Sequence, residues 1–301
     1  MPKRQTASFL IRKFQEAGIQ PDSRRGQNFL VDLNLLEILV DAADIGANDV
    51  VLEVGTGLGS LTTLLAPRAA AVVTVEVDRH LQQLAAEQLL DFTNVTMLCQ
   101  DALRNKNNLH AAVLEAVRER MMQGAERRLK LVANLPYNIA TPVISNLLST
   151  DIPPVSMTVT IQKELADRIV AQPHSKDYGA LSVWLQSQCR TEILRVMPPS
   201  VFWPRPRVHS AIVQIVLDAE RRERIPDRAF FHTFARSMFL HRRKFLRGVM
   251  VSAFKGRLNK QDVDAILRQL QLGPETRAEQ LDVETMLALS EATRRACESP
   301  S

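Results

Sequence analysis

Asn134-Leu135-Pro136-Tyr137 directly follows an apolar run, Leu129-Ala133, and offers an amide oxygen, main-chain carbonyls and an aromatic face within four residues. That set suits one chemistry. An aromatic amine, such as that of a nucleobase, is a poor nucleophile because its lone pair is delocalised into the ring. The Asn134 side-chain oxygen and the carbonyl of Leu135 or Pro136 can accept the amine hydrogens and turn the lone pair towards a sulfonium methyl, while Tyr137 stacks on the base. The amine becomes acidic as the new N–C bond forms, so no strong base is required and catalysis is chiefly positioning. Asn-x-Pro sequences also end strands in plain turns, so the reading depends on what stands beside the tetrapeptide.

A second loop supplies that neighbour. Val50-Val51-Leu52-Glu53-Val54 runs into Gly55-Thr56-Gly57-Leu58-Gly59 and then a helical stretch. Glycines there let the main chain turn sharply and approach a ligand at the carboxyl edge of a sheet. Glu76 ends the next apolar run, where its carboxylate can accept hydrogen bonds from both hydroxyls of a ribose. A dinucleotide fingerprint would place its third glycine at 60, which is Ser60; Gly59 makes the spacing G-x-G-x-G instead. Asp101, after the third run, suits the adenine amino group of a nucleoside cofactor or, equally, a helix N-cap.

These residues must be positioned by the elements around them. Apolar β-type runs recur at Val50-Val54, Ala71-Val75, Val95-Leu98, Leu129-Ala133, Val155-Ile161, Glu192-Val196 and Ala211-Leu217, with amphipathic stretches such as Leu33-Ala43, Arg79-Leu90 and Thr141-Leu148 between them. Strand then helix, repeated, predicts an α/β fold whose mostly parallel seven-stranded sheet is covered on both faces. From Pro226 the pattern is helical, over Phe230-Phe239, Arg243-Phe254, Asp262-Leu270 and Val283-Thr293. A boundary near residue 222 therefore divides a domain of residues 1–222, with a basic arm over 1–28 carrying Phe9, Leu10 and Phe14 at near-helical spacing, from an all-α domain of residues 223–301.

Composition narrows the class. The chain has 301 residues, 46% of them hydrophobic, enough for a full core. No apolar run approaches the roughly 20 residues of a membrane helix, and Met1-Pro2-Lys3-Arg4-Gln5 leads into no secretory stretch, so no membrane association and a cytoplasmic address are expected. Cys99, Cys189 and Cys297 are far apart and the six histidines lack ligand spacing, so no metal is expected. The net charge of +5 is unevenly placed. From Arg221 to Arg257 there are eleven Lys/Arg against Glu223 and Asp227. Arg242-Arg243-Lys244 and Arg247 in that segment suit phosphate binding, against the alternative of a solvated helix face.

The ordered motifs resemble those of the bacterial small-subunit (16S) ribosomal RNA adenine N6,N6-dimethyltransferases of the KsgA/RsmA type. They are Gly26-Gln27-Asn28-Phe29-Leu30, Leu52 to Gly59, Asn134 to Ile139, Gln162 to Arg168, Ser175 to Gly179, Phe202-Trp203-Pro204-Arg205-Pro206-Arg207-Val208 and Arg242-Arg243-Lys244. The resemblance implies a Rossmann-like class I methyltransferase domain with a helical RNA-binding domain. It also implies S-adenosyl-L-methionine as donor and dimethylation of two adjacent adenosines near the 3′ end of small-subunit RNA, within a partly assembled ribosomal subunit. By matching motifs, Asn28, Leu30, Gly55, Gly57, Glu76, Asp101 and Asn134 form the cofactor pocket, and the target adenine sits between Tyr137 and Phe202; Phe202 could equally be a core aromatic. Thr56 stands where the family commonly has proline, a change the neighbouring glycines should tolerate. An apparent additional helix around Leu109 to Met122 carries Arg118 and Arg120. Two other functions share the motifs: the large-subunit methyltransferase of macrolide resistance, and an assembly factor acting by binding alone. A monomer is expected.

Overall fold

The computed structural model describes residues 7–16, 18–21, 26–241 and 244–298. They form two compact units, residues 1–166 with 192–216, and residues 167–191 with 217–301. The first is built on a seven-stranded sheet of β1 (Asp49–Val54), β2 (Ala71–Glu76), β3 (Val95–Cys99), β4 (Arg128–Asn134), β5 (Ser156–Gln162), β6 (Cys189–Met197) and β7 (Ser210–Leu217), in the order 3-2-1-4-5-7-6. The first five strands pair in parallel, and β7 runs antiparallel to β5. β1 and β2 are buried along their full lengths. Covered on both faces, they have no solvent side to place polar residues on, which is why they read as unbroken apolar runs.

The strand order reverses between β1 and β4, and a crevice opens at the carboxyl ends of strands at such a switch point. Gly55 follows β1 and Asn134 closes β4. At the opposite end of the same strands, fully buried Asp49 fixes their alignment. It pairs with Lys130 Nζ at 2.9 Å and Arg128 at 3.0 Å, accepts the Gly46 N–H at 2.8 Å, and stands opposite Arg128 in the ladder.

Helix α1 (Ala7–Glu16) buries Leu10 and Phe14 beside Leu58 and Leu81. Helix α2 (Leu33–Ala42) starts at Asp32, whose carboxylate caps the Asn34 N–H at 3.0 Å, and stops where Asp44 turns left-handed at φ 47°. Its buried Leu35, Leu36, Leu39 and Val40 each contribute roughly 1.5–3 kcal/mol. The helix expected around Leu109 to Met122 is Ala111–Met122, the crossover from β3 to β4. It packs Val113, Ala116 and Val117 onto the sheet, with Arg118 held by Asp151 at 2.7 Å and Arg120 by Thr96 at 2.9 Å. It is a structural layer of the sheet.

In the second unit, helices Arg228–Met238, Leu246–Ala253, Lys260–Gln269 and Val283–Glu298 occupy the stretches expected to be helical. A shorter helix, Ala180–Gln186, joins them by packing against the first and last. Its Trp184 lies near Phe231, and fully buried Tyr178 donates to the Leu281 carbonyl at 2.9 Å. The division into units is thus not one cut near residue 222, because residues 167–191 share the helical core.

Candidate active site

The cradle begins with the three glycines after β1, at φ 92°, 56° and 82° for Gly55, Gly57 and Gly59, values that side-chain-bearing residues rarely adopt. Space is tight as well: a Cβ on Gly55 would meet the Pro136 ring at 3.2 Å, and one on Gly57 the Phe29 ring at 3.1 Å. The glycine loop and the tetrapeptide are therefore in contact. A cleft of about 750 Å³, measured to its open mouth, is lined by Asn28, Leu30, Gly55, Gly57, Glu76, Asn134 and Pro136, together with Glu53 and Leu10. A second cleft shares Gly55, Glu76, Val77 and Pro136 with the first and adds Asp101 and Asn138. Every residue expected to hold the cofactor lies on one of these two adjoining clefts.

Glu76 is held in place by main-chain donors. Its two oxygens accept the N–H groups of Gly57 at 2.9 Å and Asp78 at 3.0 Å, leaving further lone pairs for a ligand. Burial raises its pKa, opposed by those main-chain bonds. Asp101 is exposed and accepts the Leu103 N–H at 2.9 Å, so it caps a turn and also borders the second cleft.

Asn134 is oriented from one side. Its Nδ2 donates to the Asn28 carbonyl at 2.9 Å, while its Oδ1 is buried with no hydrogen-bond partner among the described residues. A buried acceptor left without a donor costs about 1–3 kcal/mol, so this oxygen is ready for a ligand donor. Next to it, the Leu135 side chain is buried and its N–H extends the ladder to Thr160 at 3.1 Å; the Pro136 carbonyl accepts the Ile139 N–H at 3.1 Å. The Pro136 carbonyl thus has one of its two lone pairs committed to closing the turn. Half-buried Tyr137 is pinned through its hydroxyl to the Ser210 Oγ at 2.6 Å, with burial raising the phenol's pKa.

Phe202 does not join this arrangement. It is 3% exposed, pairs with Leu30 in a short antiparallel ladder, and packs among Leu35, Leu36, Leu39 and Met197. Its burial fits the core-aromatic alternative, Tyr137 is half-buried, and neither ring is among the residues lining the two clefts. Among the phosphate candidates, Arg242 and Arg243 lie outside the described residues. Lys244 is exposed, whereas Arg247 forms a two-bond pair with Asp264 at 2.6 and 2.9 Å. Arg221, Arg222 and Arg224 are likewise engaged, with Gln186 and Cys189 carbonyls, Gln188 and Glu284 respectively. Charge counted along the sequence thus overstates what the surface offers.

Sequence reasoning missed Glu53. On the cleft wall, its Oε2 accepts hydroxyls of Thr62 and Thr74, each at 2.6 Å, and Thr56 joins through Thr74 at 2.6 Å. Its Oε1 is buried without a partner among the described residues, and burial pushes its pKa up to about 7. Thr56, where proline is common in the resembled family, thus extends this hydroxyl network. Ser210 and the exposed Val77 were also missed; an isolated serine and a valine after a strand carry no sequence signal. Among the described residues, no group of three or more His, Cys, Asp or Glu is arranged to hold a metal ion, and no helix is long and apolar enough to cross a membrane.

Comparison with known proteins decides the family, because residues 20–294 match the family described as "Ribosomal RNA adenine dimethylase". The chain belongs to that family. Among its relatives is the ribosomal RNA small subunit methyltransferase A of Lactiplantibacillus plantarum, 40% identical over 281 residues that span 93% of this chain and 92% of that protein. The protein of the same name from Halothermothrix orenii is 38% identical over 88% of this chain and 85% of its own length. The fold resembles a dimethyladenosine transferase from Plasmodium falciparum, with a TM-score of 0.71 and 22% identity over 88% of this chain and 97% of that one. It also resembles the 23S rRNA methyltransferase ErmE, with a TM-score of 0.59, 21% identity, and 88% and 99% of the two chains covered. Both likenesses concern the class I methyltransferase fold. Membership makes the chain a methyltransferase with S-adenosylmethionine as donor.

Proposed function

We propose that this family member dimethylates N6 of two adjacent adenosines near the 3′ end of small-subunit ribosomal RNA, acting as a cytoplasmic monomer on a partly assembled subunit. The names of the 38–40% identical relatives support the small subunit. The observation that carries the chemistry is the buried, unpartnered Asn134 Oδ1 on the wall of the glycine-loop cleft. In this reading Asn28, Leu30, Gly55, Gly57 and Glu76 hold the cofactor in the first cleft, Asp101 receives its adenine in the second, and Val77 lies against that ring. S-adenosylmethionine supplies an electrophilic methyl group on its sulfonium.

The protein's part is orientation. Asn134 Oδ1 and the Leu135 carbonyl accept the two N6 hydrogens of the target adenine, directing the nitrogen lone pair at the methyl carbon. Tyr137, fixed by Ser210, stacks on the base taken out of its RNA context. Lys244, with Arg242 and Arg243, contacts phosphates. The first methylation leaves one N6 hydrogen, so the second transfer proceeds with one acceptor engaged. The test is incubation of purified protein with methyl-labelled S-adenosylmethionine and immature small subunits, followed by nucleoside analysis of each subunit's RNA. Label in N6,N6-dimethyladenosine of small-subunit RNA is expected. No label, or label confined to large-subunit RNA, would overturn the assignment.

A further inference from the structure

In the helical unit, the exposed large apolar side chains among the described residues are Leu240, 73% exposed, and Phe245, 44% exposed. Both lie on the connection from helix Arg228–Met238 to helix Leu246–Ala253, which also carries the exposed Lys244. Phe245 is not loose there. It is the N-cap residue, at φ −65° and ψ 144°, and the next residue, buried Leu246, donates its N–H to the Thr276 carbonyl at 2.7 Å. That bond ties the segment to the neighbour of Arg277, whose guanidinium carbon lies over the Phe245 ring, 5.6 Å from its centroid. A cation within about 6 Å of a ring centroid is attracted by the ring's negative face. Arg277 therefore backs one face of a ring that is 44% exposed.

An exposed aromatic ring is costly in water, and this one is backed by the Arg277 guanidinium and directly follows the exposed Lys244 in the chain. The positive charge of Lys244 and Arg277 beside a partly exposed ring complements a polyanion that presents unpaired bases. We propose that Phe245 and Arg277 form a stacking platform for an unpaired base of the RNA substrate, with Lys244 on an adjoining phosphate. The proposal rests on the RNA-methylating reading above and adds a contact outside the methyl-transfer cleft.

Stacking and phosphate contacts respond differently to salt, which makes them separable. Each phosphate neutralised contributes about 0.7–0.9 to the slope of log affinity against log salt, whereas a stacked base contributes little. The experiment is filter binding of labelled immature small subunits to the full-length protein across a salt series, with wild type, Phe245→Ala, Phe245→Trp and Lys244→Ala. The expected result for Phe245→Ala is roughly five- to a hundred-fold weaker binding with the wild-type slope, and restored affinity for Phe245→Trp. Lys244→Ala should lower the slope by about 0.7–0.9. Wild-type affinity in Phe245→Ala, or weakening that Phe245→Trp does not repair, overturns the platform while leaving the RNA-methylating reading intact. Failure of the wild type to bind any subunit defeats both.

Discussion

Glu53→Gln should make the protein more stable at neutral pH, and the reason lies in the cleft wall. Glu53 is 1% exposed; two threonine hydroxyls satisfy one oxygen, and nothing among the described residues satisfies the other. Burial disfavours the carboxylate and moves the pKa from 4.5 to about 7. The folded state therefore holds this proton more tightly than the unfolded chain does. Below about pH 4.5 both states are protonated and the group costs nothing; stability then falls as pH rises through the folded value near 7 and levels off above it. A displacement of that size corresponds to at most about 3 kcal/mol. Glutamine keeps the shape and cannot ionise, so the comparison isolates this group from the others that titrate in the same range. Urea unfolding of both proteins without cofactor, at a series of pH values from acid to neutral, should show near-equal stability at the acid end. The variant should gain by up to about 3 kcal/mol at the neutral end. A stability difference that does not change with pH would show that Glu53 ionises as it does in water and would refute the reasoning. A cationic ligand should favour the ionised form, so S-adenosylmethionine binding should tighten as pH rises through 7 in the wild type and lose that dependence in Glu53→Gln.

Other outcomes follow from single contacts. Tyr137→Phe and Ser210→Ala remove the same 2.6 Å hydrogen bond; each should slow methyl transfer by roughly two- to ten-fold, and the double variant should be no slower than either, as a double-mutant cycle of single-turnover rates would reveal. Glu76→Gln removes a charged acceptor from the cleft and should weaken S-adenosylmethionine binding by about ten-fold or more in calorimetry; unchanged affinity would remove Glu76 from the cofactor site. Asp49→Ala strands buried Lys130 and should cost about 3–5 kcal/mol in urea unfolding, with no loss of activity per folded molecule.

Much of this was legible in the sequence because the sheet is buried on both faces. β1, β2 and β4 appear as continuous apolar runs, and their ends fix where Gly55, Glu76 and Asn134 must stand. What escaped depends on contacts between distant residues. Helix Ala180–Gln186 buries five consecutive residues, Leu181 to Leu185, so it shows no amphipathic period, and residues 167–191 gave no sign that they belong with the helical unit. Phe202 reads equally as a stacking ring or a core aromatic, and only its pairing with Leu30 shows that it is carried into the core. Glu53 is hidden inside an apolar strand, and its partners Thr62 and Thr74 come from two other elements. Arg247 reads as free charge until Asp264, on the following helix, is seen to neutralise it.

The most direct measurement is the single-turnover rate of dimethyladenosine formation on immature small subunits by Asn134→Ala at saturating S-adenosylmethionine, which separates acceptor loss from weakened cofactor binding. If Asn134 Oδ1 orients the target amine, the rate should fall by about 10²–10³ while the variant still binds subunits. A folded variant that methylates within a few-fold of the wild-type rate would contradict the assignment of the tetrapeptide.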